Sequence, residues 1–219
     1  DGDGFNGQND CDDSDPNVYP GAQEIYDDGI DQDCDGFDST SVGVNSLSQG
    51  ELLVIEMMLM PSAPNGEWFE VLNYAPDVVN LSGLTVIDNS GENFTVTGDV
   101  YVEPEETVVF AASSNSALNG GVDAQYEYGS AMTLNDNVDS IKLMASGFEI
   151  DAVAYNNTWG QLSGATLKLD ELQQNSASQM AGANDDKNNW CVEDSYTYGQ
   201  GDYGTPGSIN PACGSTAID

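Results

Sequence analysis

Residues 52–73 read LLVIEMMLMPSAPNGEWFEVLN, two apolar runs separated by a turn. The runs at 52–58 and 67–73 have the length of strands and are rich in Val, Ile, Trp and Phe, which favour strands. Pro64-Asn65-Gly66 between them is a typical turn signal. This stretch therefore predicts two strands, and the chain on its C-terminal side repeats the same pattern.

Short apolar runs continue beyond residue 73, bounded by Asn, Asp, Gly or Pro. The further strand-like runs are 84–88, 94–97, 107–112, 140–145, 149–155 and 166–169. Only residues 172–181 carry a helical pattern, and it is a weak one. Many short strands with irregular connections predict an all-β fold, an antiparallel sandwich or barrel.

Apolar residues at alternate positions of these runs define the expected core. They are Leu53, Ile55, Phe69, Val71, Leu84, Val86, Val108, Phe110, Ile141 and Leu143. For the three tryptophans, Trp68, Trp159 and Trp190, two interpretations stay open. Each ring either packs against the edge of the core or stacks on a sugar or peptide.

The charge of the chain limits its partners. Formal net charge is −35, with three Lys or Arg and no His. No basic patch is available to neutralise phosphates or an anionic membrane surface, which excludes nucleic acid as a partner. No apolar run reaches about 18 residues, so membrane insertion is not expected.

Composition divides the chain into three regions. Residues 1–38 contain 13 carboxylates and no Lys or Arg, residues 39–50 are small and polar, and strand-like runs begin at 51. We therefore expect an acidic segment at 1–38, a linker at 39–50 and a β-domain at 51–213, with a less regular tail from about 173.

Four cysteines, an even number, suggest disulfides in an exported protein. They are Cys11, Cys34, Cys191 and Cys213, which allow three pairings. Proximity along the chain favours Cys11–Cys34 and Cys191–Cys213. The alternatives are four reduced thiols or a zinc site, and zinc is disfavoured because no CxxC pair or His is present.

The acidic segment contains a pattern typical of calcium loops, D-x-D-x-D-G. Residues 31–37 match it fully, and residues 1–5 match its last part. Alternate carboxylates, a Gly bend and one backbone carbonyl supply the hard oxygens that Ca²⁺ requires. The alternatives are Mg²⁺, or a solvated acidic coil without metal. The candidate metal ligands are Asp1, Asp3, the carbonyl of Phe5, Asp10, Asp12, Asp13, Asp15, Glu24, Asp31, Asp33, Asp35 and the carbonyl of Phe37.

Residues 1–36 resemble the metal-binding motif of MopE-like secreted and surface proteins of bacteria. The resemblance rests on the D-x-D-G strings, Asp10-Cys11-Asp12-Asp13, Pro20-Gly21-Ala22, Glu24 and Gly29-Ile30-Asp31. Some members carry a third Cys close to the position of Tyr26, so its absence favours a simple Cys11–Cys34 pair. The resemblance implies calcium as the bound ion and an extracellular location.

Residues 51–210 resemble the lamin-tail domain of bacterial extracellular proteins. The similarity lies in Ile55-Glu56, Met60-Pro61, residues 66–71, residues 79–83 and the ending YGTPGSIN at 203–210. It implies an immunoglobulin-like β-sandwich.

The usual catalytic groups are absent. Without His there is no Ser-His-Asp or Cys-His pair. Glu67 and Glu70 are three residues apart on a predicted strand and point to opposite faces, so they are not expected to cooperate. We therefore expect a non-catalytic, extracellular structural module that binds Ca²⁺, in a filament or layer formed by self-association or with another extracellular protein. The alternative is a carbohydrate- or protein-binding accessory module of a larger secreted protein or hydrolase.

Overall fold

The computed structural model describes residues 2–5, 7–171 and 182–214 of the chain. Two compact units are present, Asp1–Val42 and Gly43–Asp219. The weak helical pattern at 172–181 and the candidate ligand Asp1 lie outside the described residues. The bounds expected from composition, 1–38, 39–50 and 51–213, stay predictions.

The polar stretch 39–50 makes ordered contacts along its length. Ser39 donates its backbone N–H to Glu24 in the first unit, at 2.9 Å. In the second unit, Val44 and Leu47 are buried, and the N–H of Gly50 bonds the carbonyl of Ile150 at 2.8 Å.

The described chain is built from short strands, almost all of them antiparallel and nearly all of them in the second unit. The strands are β1 (Val42–Gly43), β2 (Leu52–Met58), β3 (Trp68–Asn73), β4 (Val79–Asn80), β5 (Thr85–Asp88), β6 (Asn93–Thr95), β7 (Tyr101–Val102), β8 (Thr107–Ala111), β9 (Tyr126–Glu127), β10 (Asp139–Ala145), β11 (Phe148–Tyr155), β12 (Leu167–Leu169), β13 (Trp190–Val192), β14 (Thr197–Tyr198) and β15 (Asp202–Tyr203). Single 3-10 turns occur at Val44–Ser46 and Lys187–Asn189. All eight strand-like runs of the sequence correspond to strands.

Two sheets carry the fold. The larger has the order β13–β12–β2–β3–β8–β9, and the smaller has the order β11–β10–β5–β6. In the described residues β8 and β9 pair in parallel, Ala165 and Tyr203 form an isolated parallel bridge, and β14 and β15 form a separate hairpin. The all-β, immunoglobulin-like sandwich predicted from the sequence is confirmed.

Aromatic rings join the two sheets in the core. Phe110 of β8 stacks on Phe69 of β3 at 5.0 Å between ring centroids. Phe94 of β6, on the other sheet, reaches Phe110 at 6.0 Å and Tyr128 at 5.4 Å. Every residue of the expected core is buried, which confirms that prediction: Leu53, Ile55, Phe69, Val71, Leu84, Val86, Val108, Phe110, Ile141 and Leu143.

Strand β2 is buried along all seven residues, although Glu56 interrupts its apolar run. Its second face is covered by residues 203–210, which we call the closing strap. Asn210 of the strap donates to the carbonyl of Ile55 at 2.7 Å, and Thr205 donates to Glu56 at 3.0 Å. Coverage on both faces explains why β2 does not alternate between apolar and polar residues.

The three tryptophans are structural. Trp68 and Trp190 are fully buried, and Trp159 is 3% exposed. The Trp190 indole donates to the carbonyl of Asn184 at 2.8 Å and packs against Trp159 at 5.6 Å between centroids. Stacking of these rings on a sugar is therefore not supported, because none of them offers an open face.

In the part of the chain that the structure describes, no helix has the length and apolar character needed to cross a bilayer.

Candidate metal centre

The string at 31–37 folds into a tight loop held by its own carboxylates. Asp31 accepts the N–H of Asp35 at 3.1 Å on one oxygen and that of Gly36 at 2.8 Å on the other. Asp33 also accepts the N–H of Asp35, at 3.1 Å. Gly36 has φ +106°, a backbone conformation that side chains rarely adopt, so glycine is the residue that suits this bend.

Glu24 reaches this loop from an earlier part of the first unit. Its two carboxylate oxygens accept the N–H of Asp33 and the N–H of Ser39, both at 2.9 Å. These bonds hold the Glu24 carboxylate against the loop, so that Glu24, Asp31 and Asp33 each place an oxygen within 4.8 Å of the others. Among the described residues this is the only group of three or more such side chains close enough to share one ion.

The electrostatics of the group are unfavourable without a cation. Desolvation raises the pKa of Asp33, and the nearby carboxylates of Asp35, Glu24 and Asp31 raise it further. No Lys or Arg occurs before Lys142, so the first unit has no basic side chain to offset this repulsion. Like charges held this close together favour either protonation or a bound cation.

The donor set fits a hard divalent cation. All three converging groups are carboxylates, and each oxygen that accepts one N–H still has a free lone pair. The chain has no His, and both cysteines of this unit are bonded to each other. Oxygen ligands suit Ca²⁺ and Mg²⁺, whereas copper and zinc favour nitrogen and sulfur.

Several predicted ligands instead cap local turns. Asp3 accepts the N–H of Phe5 at 2.8 Å, and Asp10 accepts that of Asp12 at 3.0 Å. Asp12 accepts both the N–H and the hydroxyl of Ser14, which lowers the pKa of Asp12. The structure does not bring these residues into the three-carboxylate group, so their role as ligands stays a prediction.

The remaining predicted ligands also lie outside the group. Asp15 accepts the N–H of Asn17 at 3.0 Å, and Asp13 lies beside Gly7. Asp35 accepts the N–H of Phe37 at 2.9 Å, and the Phe37 side chain is 79% exposed.

Two acidic residues that sequence reasoning did not select are also engaged in the first unit. Asp38 accepts the N–H of Gly29 at 3.0 Å, while its other oxygen is buried without a hydrogen-bond partner. Asp27 has φ +63°, and its carboxylate accepts hydrogen bonds from both the N–H and the hydroxyl of Ser41. Asp38 follows the matched string directly, and that position is the signal that would have found it.

Each unit contains one disulfide. Cys11 bonds Cys34, which lies between Asp33 and Asp35, and Cys191 bonds Cys213. These are the pairs that proximity along the chain favours. The first bridge joins the acidic loop to Cys11, so the three-carboxylate group and the crosslink involve the same loop.

No catalytic constellation emerges in the second unit among the described residues. Glu70 is fully buried, and Glu67 is half-buried and accepts the N–H of Leu134 at 3.1 Å. An immunoglobulin-like sandwich is a non-catalytic fold in itself, and any activity on it depends on the site built there.

Comparison with known families agrees with this division. Residues 10–39 match the family described as "Putative metal-binding motif", whose model carries a MopE copper-binding label. Residues 45–157, just over half of the chain, match the model described as Lamin Tail Domain. A search of curated proteins finds no significant match. The motif and the carboxylate group together indicate metal binding at the N-terminal end. The chain belongs to the lamin tail domain family, and a MopE-type metal-binding motif precedes its lamin tail domain.

Proposed function

We propose that the first unit binds Ca²⁺ through Glu24, Asp31 and Asp33, and that the protein is a non-catalytic extracellular structural module stabilised by this ion and by its disulfides. The observation that carries the proposal is the convergence of three carboxylates within 4.8 Å in a unit without a basic side chain. A divalent cation supplies the missing positive charge.

Calcium is favoured over the other metals by the chemistry of the site. Mg²⁺ keeps most of its water and needs near-octahedral ligands, whereas Ca²⁺ accepts six to eight oxygens in irregular loops. The copper label of the matched model is at odds with an all-oxygen donor set. Loop carbonyls, further carboxylates such as Asp10 and Asp35, and water would complete the shell.

An extracellular setting is supported by the two disulfides, which persist in oxidising compartments. We also propose a structural role, in an assembly formed by self-association or with another extracellular protein. This role is supported by a β-sandwich with a disulfide and by a loop whose carboxylates suit a metal ion. Sedimentation velocity with Ca²⁺ and with EDTA tests self-association. A monomer in both conditions, over a wide range of protein concentration, would remove it.

Calorimetric titration of Ca²⁺ into the full chain tests the metal site. We expect a dissociation constant of about 0.1–1 mM, as in other extracellular modules. Asp31→Asn and Glu24→Gln should each weaken binding at least tenfold, because each removes a charged ligand. Asp77→Asn removes the same charge from an exposed position in the second unit and should leave the affinity unchanged.

Parallel titrations with Mg²⁺ and Cu²⁺ decide the identity of the ion. Tight binding of Cu²⁺ with no heat from Ca²⁺ would contradict the assignment of calcium. Equal affinity for Ca²⁺ in Asp31→Asn and the parent chain would contradict the assigned ligands.

A second function, binding of a carbohydrate or a protein, is favoured by a cleft in the C-terminal region. It has a volume of about 480 Å³ and is lined by Tyr196, Tyr198, Pro206 and Ile209, among others. Tyr196 is 55% exposed and Ile209 is 47% exposed, so apolar surface is available to a ligand. A glycan array comparing the parent chain with Tyr196→Ala tests this function, and identical profiles would count against it.

A further inference from the structure

The second unit buries two glutamates directly opposite each other. Glu56 of β2 pairs in register with Glu70 of β3, and neither side chain is exposed. Directly opposed side chains on antiparallel strands have Cβ atoms about 4.5–5.5 Å apart. Two carboxylates this close, without water, cannot both be charged at little cost.

The closing strap, residues 203–210, covers this pair and supplies most of its hydrogen bonds. Thr205 donates its N–H at 3.0 Å and its hydroxyl at 2.8 Å to the two oxygens of Glu56. Gly207 donates its N–H to Glu70 at 2.6 Å. The two carboxylates thus hold the middle of the strap, while Asn210 near its end bonds the backbone carbonyls of Ile55 and Leu169.

The two glutamates differ in how well they are satisfied. Glu56 also receives the hydroxyl of Thr166 at 2.5 Å, so both of its oxygens have donors. The Oε2 atom of Glu70 is buried without a hydrogen-bond partner. A proton on this oxygen would remove the negative charge from a buried atom that has no hydrogen-bond partner.

The surrounding charged groups offer no cation to the pair. Lys168 lies in register beside Glu56, but its ammonium group bonds Glu193 at 2.6 Å, and both residues are buried. Glu193 further accepts the backbone N–H groups of Ser195 and Tyr196, which hold it ionised. The phenol of Tyr198 is the other titratable group that interacts with Glu56.

We propose that Glu56 and Glu70 share one proton, carried by Glu70, and that this proton fastens the closing strap to the sheet. Loss of the proton to solvent at high pH leaves two buried negative charges, whose repulsion loosens the strap. The pair therefore acts as a pH-sensitive switch for the closing strap. All of its residues lie in the second unit.

The direction of the pKa shifts agrees with this arrangement. Burial raises the pKa of Glu56 to about 7, against the lowering effect of its hydrogen bonds. Burial and the charge of Glu56 raise the pKa of Glu70 well above its usual value, although Thr107, Gly207 and Ser208 lower it in part. An acid whose pKa is higher in the folded state stabilises the fold fully below its unfolded pKa, and this stabilisation is lost as pH rises through the folded pKa.

Equilibrium unfolding of the full chain between pH 4.5 and 8.5 tests the proposal. Tryptophan fluorescence reports the second unit alone, because Trp68, Trp159 and Trp190 all lie there. In the parent chain, loss of one bound proton should raise the unfolding equilibrium constant by up to tenfold per pH unit. Glu70→Gln imitates the protonated acid, so its unfolding should release one proton fewer than unfolding of the parent chain, and its unfolding constant should rise less steeply with pH. It should also slow hydrogen exchange of the closing strap at pH 8.

Glu106→Gln is the matched control, because it removes one charge from an exposed position on the same unit. It should keep the pH dependence of the parent chain. If Glu70→Gln also keeps it, while remaining folded, the shared proton is contradicted. If replacing Na⁺ by Ca²⁺ at constant ionic strength abolishes the pH dependence of the parent chain, the cation acts either at the glutamate pair, which contradicts the proposal, or through the first unit. To exclude that route, Asp31→Asn is measured alongside, and a cation effect that persists there assigns the pair to a cation instead of a proton.

Discussion

The two units of this protein achieve order by different means. Among the described residues of the first unit, only one apolar side chain, Val18, is buried, whereas the second unit has an extended apolar core. The first unit relies on carboxylates that cap turns, on the Cys11–Cys34 bridge and, as we propose, on a metal ion. The second relies on the burial of apolar surface, which is the dominant favourable contribution to folding.

The comparison also shows how burial determines whether a metal ion or a proton can neutralise a group of close carboxylates. Glu24, Asp31 and Asp33 are half-buried and open to solvent, so an ion can reach them. Glu56 and Glu70 are enclosed by the closing strap, so a proton is the simpler partner. If this distinction is correct, changes to one unit should leave the signature of the other intact.

The largest effect is expected from the aromatic core of the second unit. Phe110→Ala removes a ring that contacts Phe69 and Phe94, and should destabilise the unit by about 3–5 kcal/mol. Chemical denaturation followed by tryptophan fluorescence measures this loss. Phe148→Ala, at a position that is 51% exposed, should cost far less. The calorimetric signal of Ca²⁺ should survive Phe110→Ala, and its loss would contradict the independence of the units.

A smaller effect, confined to the first unit, is expected from its disulfide. Replacing Cys11 and Cys34 together by Ala removes a crosslink between residues 23 apart in sequence, worth roughly 3 kcal/mol. Because so little apolar surface is buried in this unit, we expect residues 7–42 to lose protection from hydrogen exchange and Ca²⁺ binding to fail. The matched double replacement of Cys191 and Cys213 should keep Ca²⁺ binding. Full Ca²⁺ affinity after loss of Cys11–Cys34 would contradict this picture.

The fold was largely predictable from sequence because the strands of the second unit carry strong local signals. The runs at 52–58 and 140–145 are long and mostly apolar, and they form β2 and β10. Two-residue strands such as β4 and β9 have no such signal, since partners distant in sequence define them. The burial of Trp190 likewise depends on Trp159 and Asn184, which no local pattern connects to it.

The candidate metal site was predictable only in part. The D-x-D string identified Asp31 and Asp33, because alternate residues of a tight loop converge by geometry alone. The sequence also suggested Asp35, which accepts the N–H of Phe37 at 2.9 Å and lies outside the three-carboxylate group, so its role as a ligand stays a prediction. Glu24 lies beside the loop because its carboxylate accepts the N–H groups of Asp33 and Ser39. A local sequence pattern does not reveal such contacts between separate parts of the chain.

An effect smaller than loss of the Cys11–Cys34 disulfide is expected at the contact between the closing strap and β2. A methyl group at Gly204 would lie 2.9 Å from Thr166 and 3.2 Å from Glu56, closer than side chains normally approach. Gly204→Ala should therefore displace the strap and destabilise the second unit by about 1–3 kcal/mol. Gly182→Ala is the control, since nothing lies within 4 Å of that position. Equal unfolding midpoints for the two variants would contradict close packing of the strap.

The smallest effect is a pH dependence from another buried acid, Asp151 of β11. Its Oδ2 atom accepts the N–H of Val54 and the amide of Asn184, both at 2.8 Å, while Oδ1 has no hydrogen-bond partner. Burial raises the pKa of Asp151 to about 7, and Asp185 adds to the rise.

Because the folded-state pKa is the higher one, the stabilisation from Asp151 is complete below about pH 4 and is lost between about pH 4 and 7. Each pH unit in that window should cost at most about 1.4 kcal/mol. Asp151→Asn keeps the acceptor for Val54 and removes the titration, so its unfolding free energy should fall less steeply with pH than that of the parent chain. Fluorescence-monitored urea unfolding at pH 5, 6, 7 and 8 measures the two slopes. Parallel slopes would mean that Asp151 stays ionised throughout. Burial would then raise the pKa of a carboxyl group in the second unit too little to distinguish it from the solvent-exposed carboxylates of the first unit.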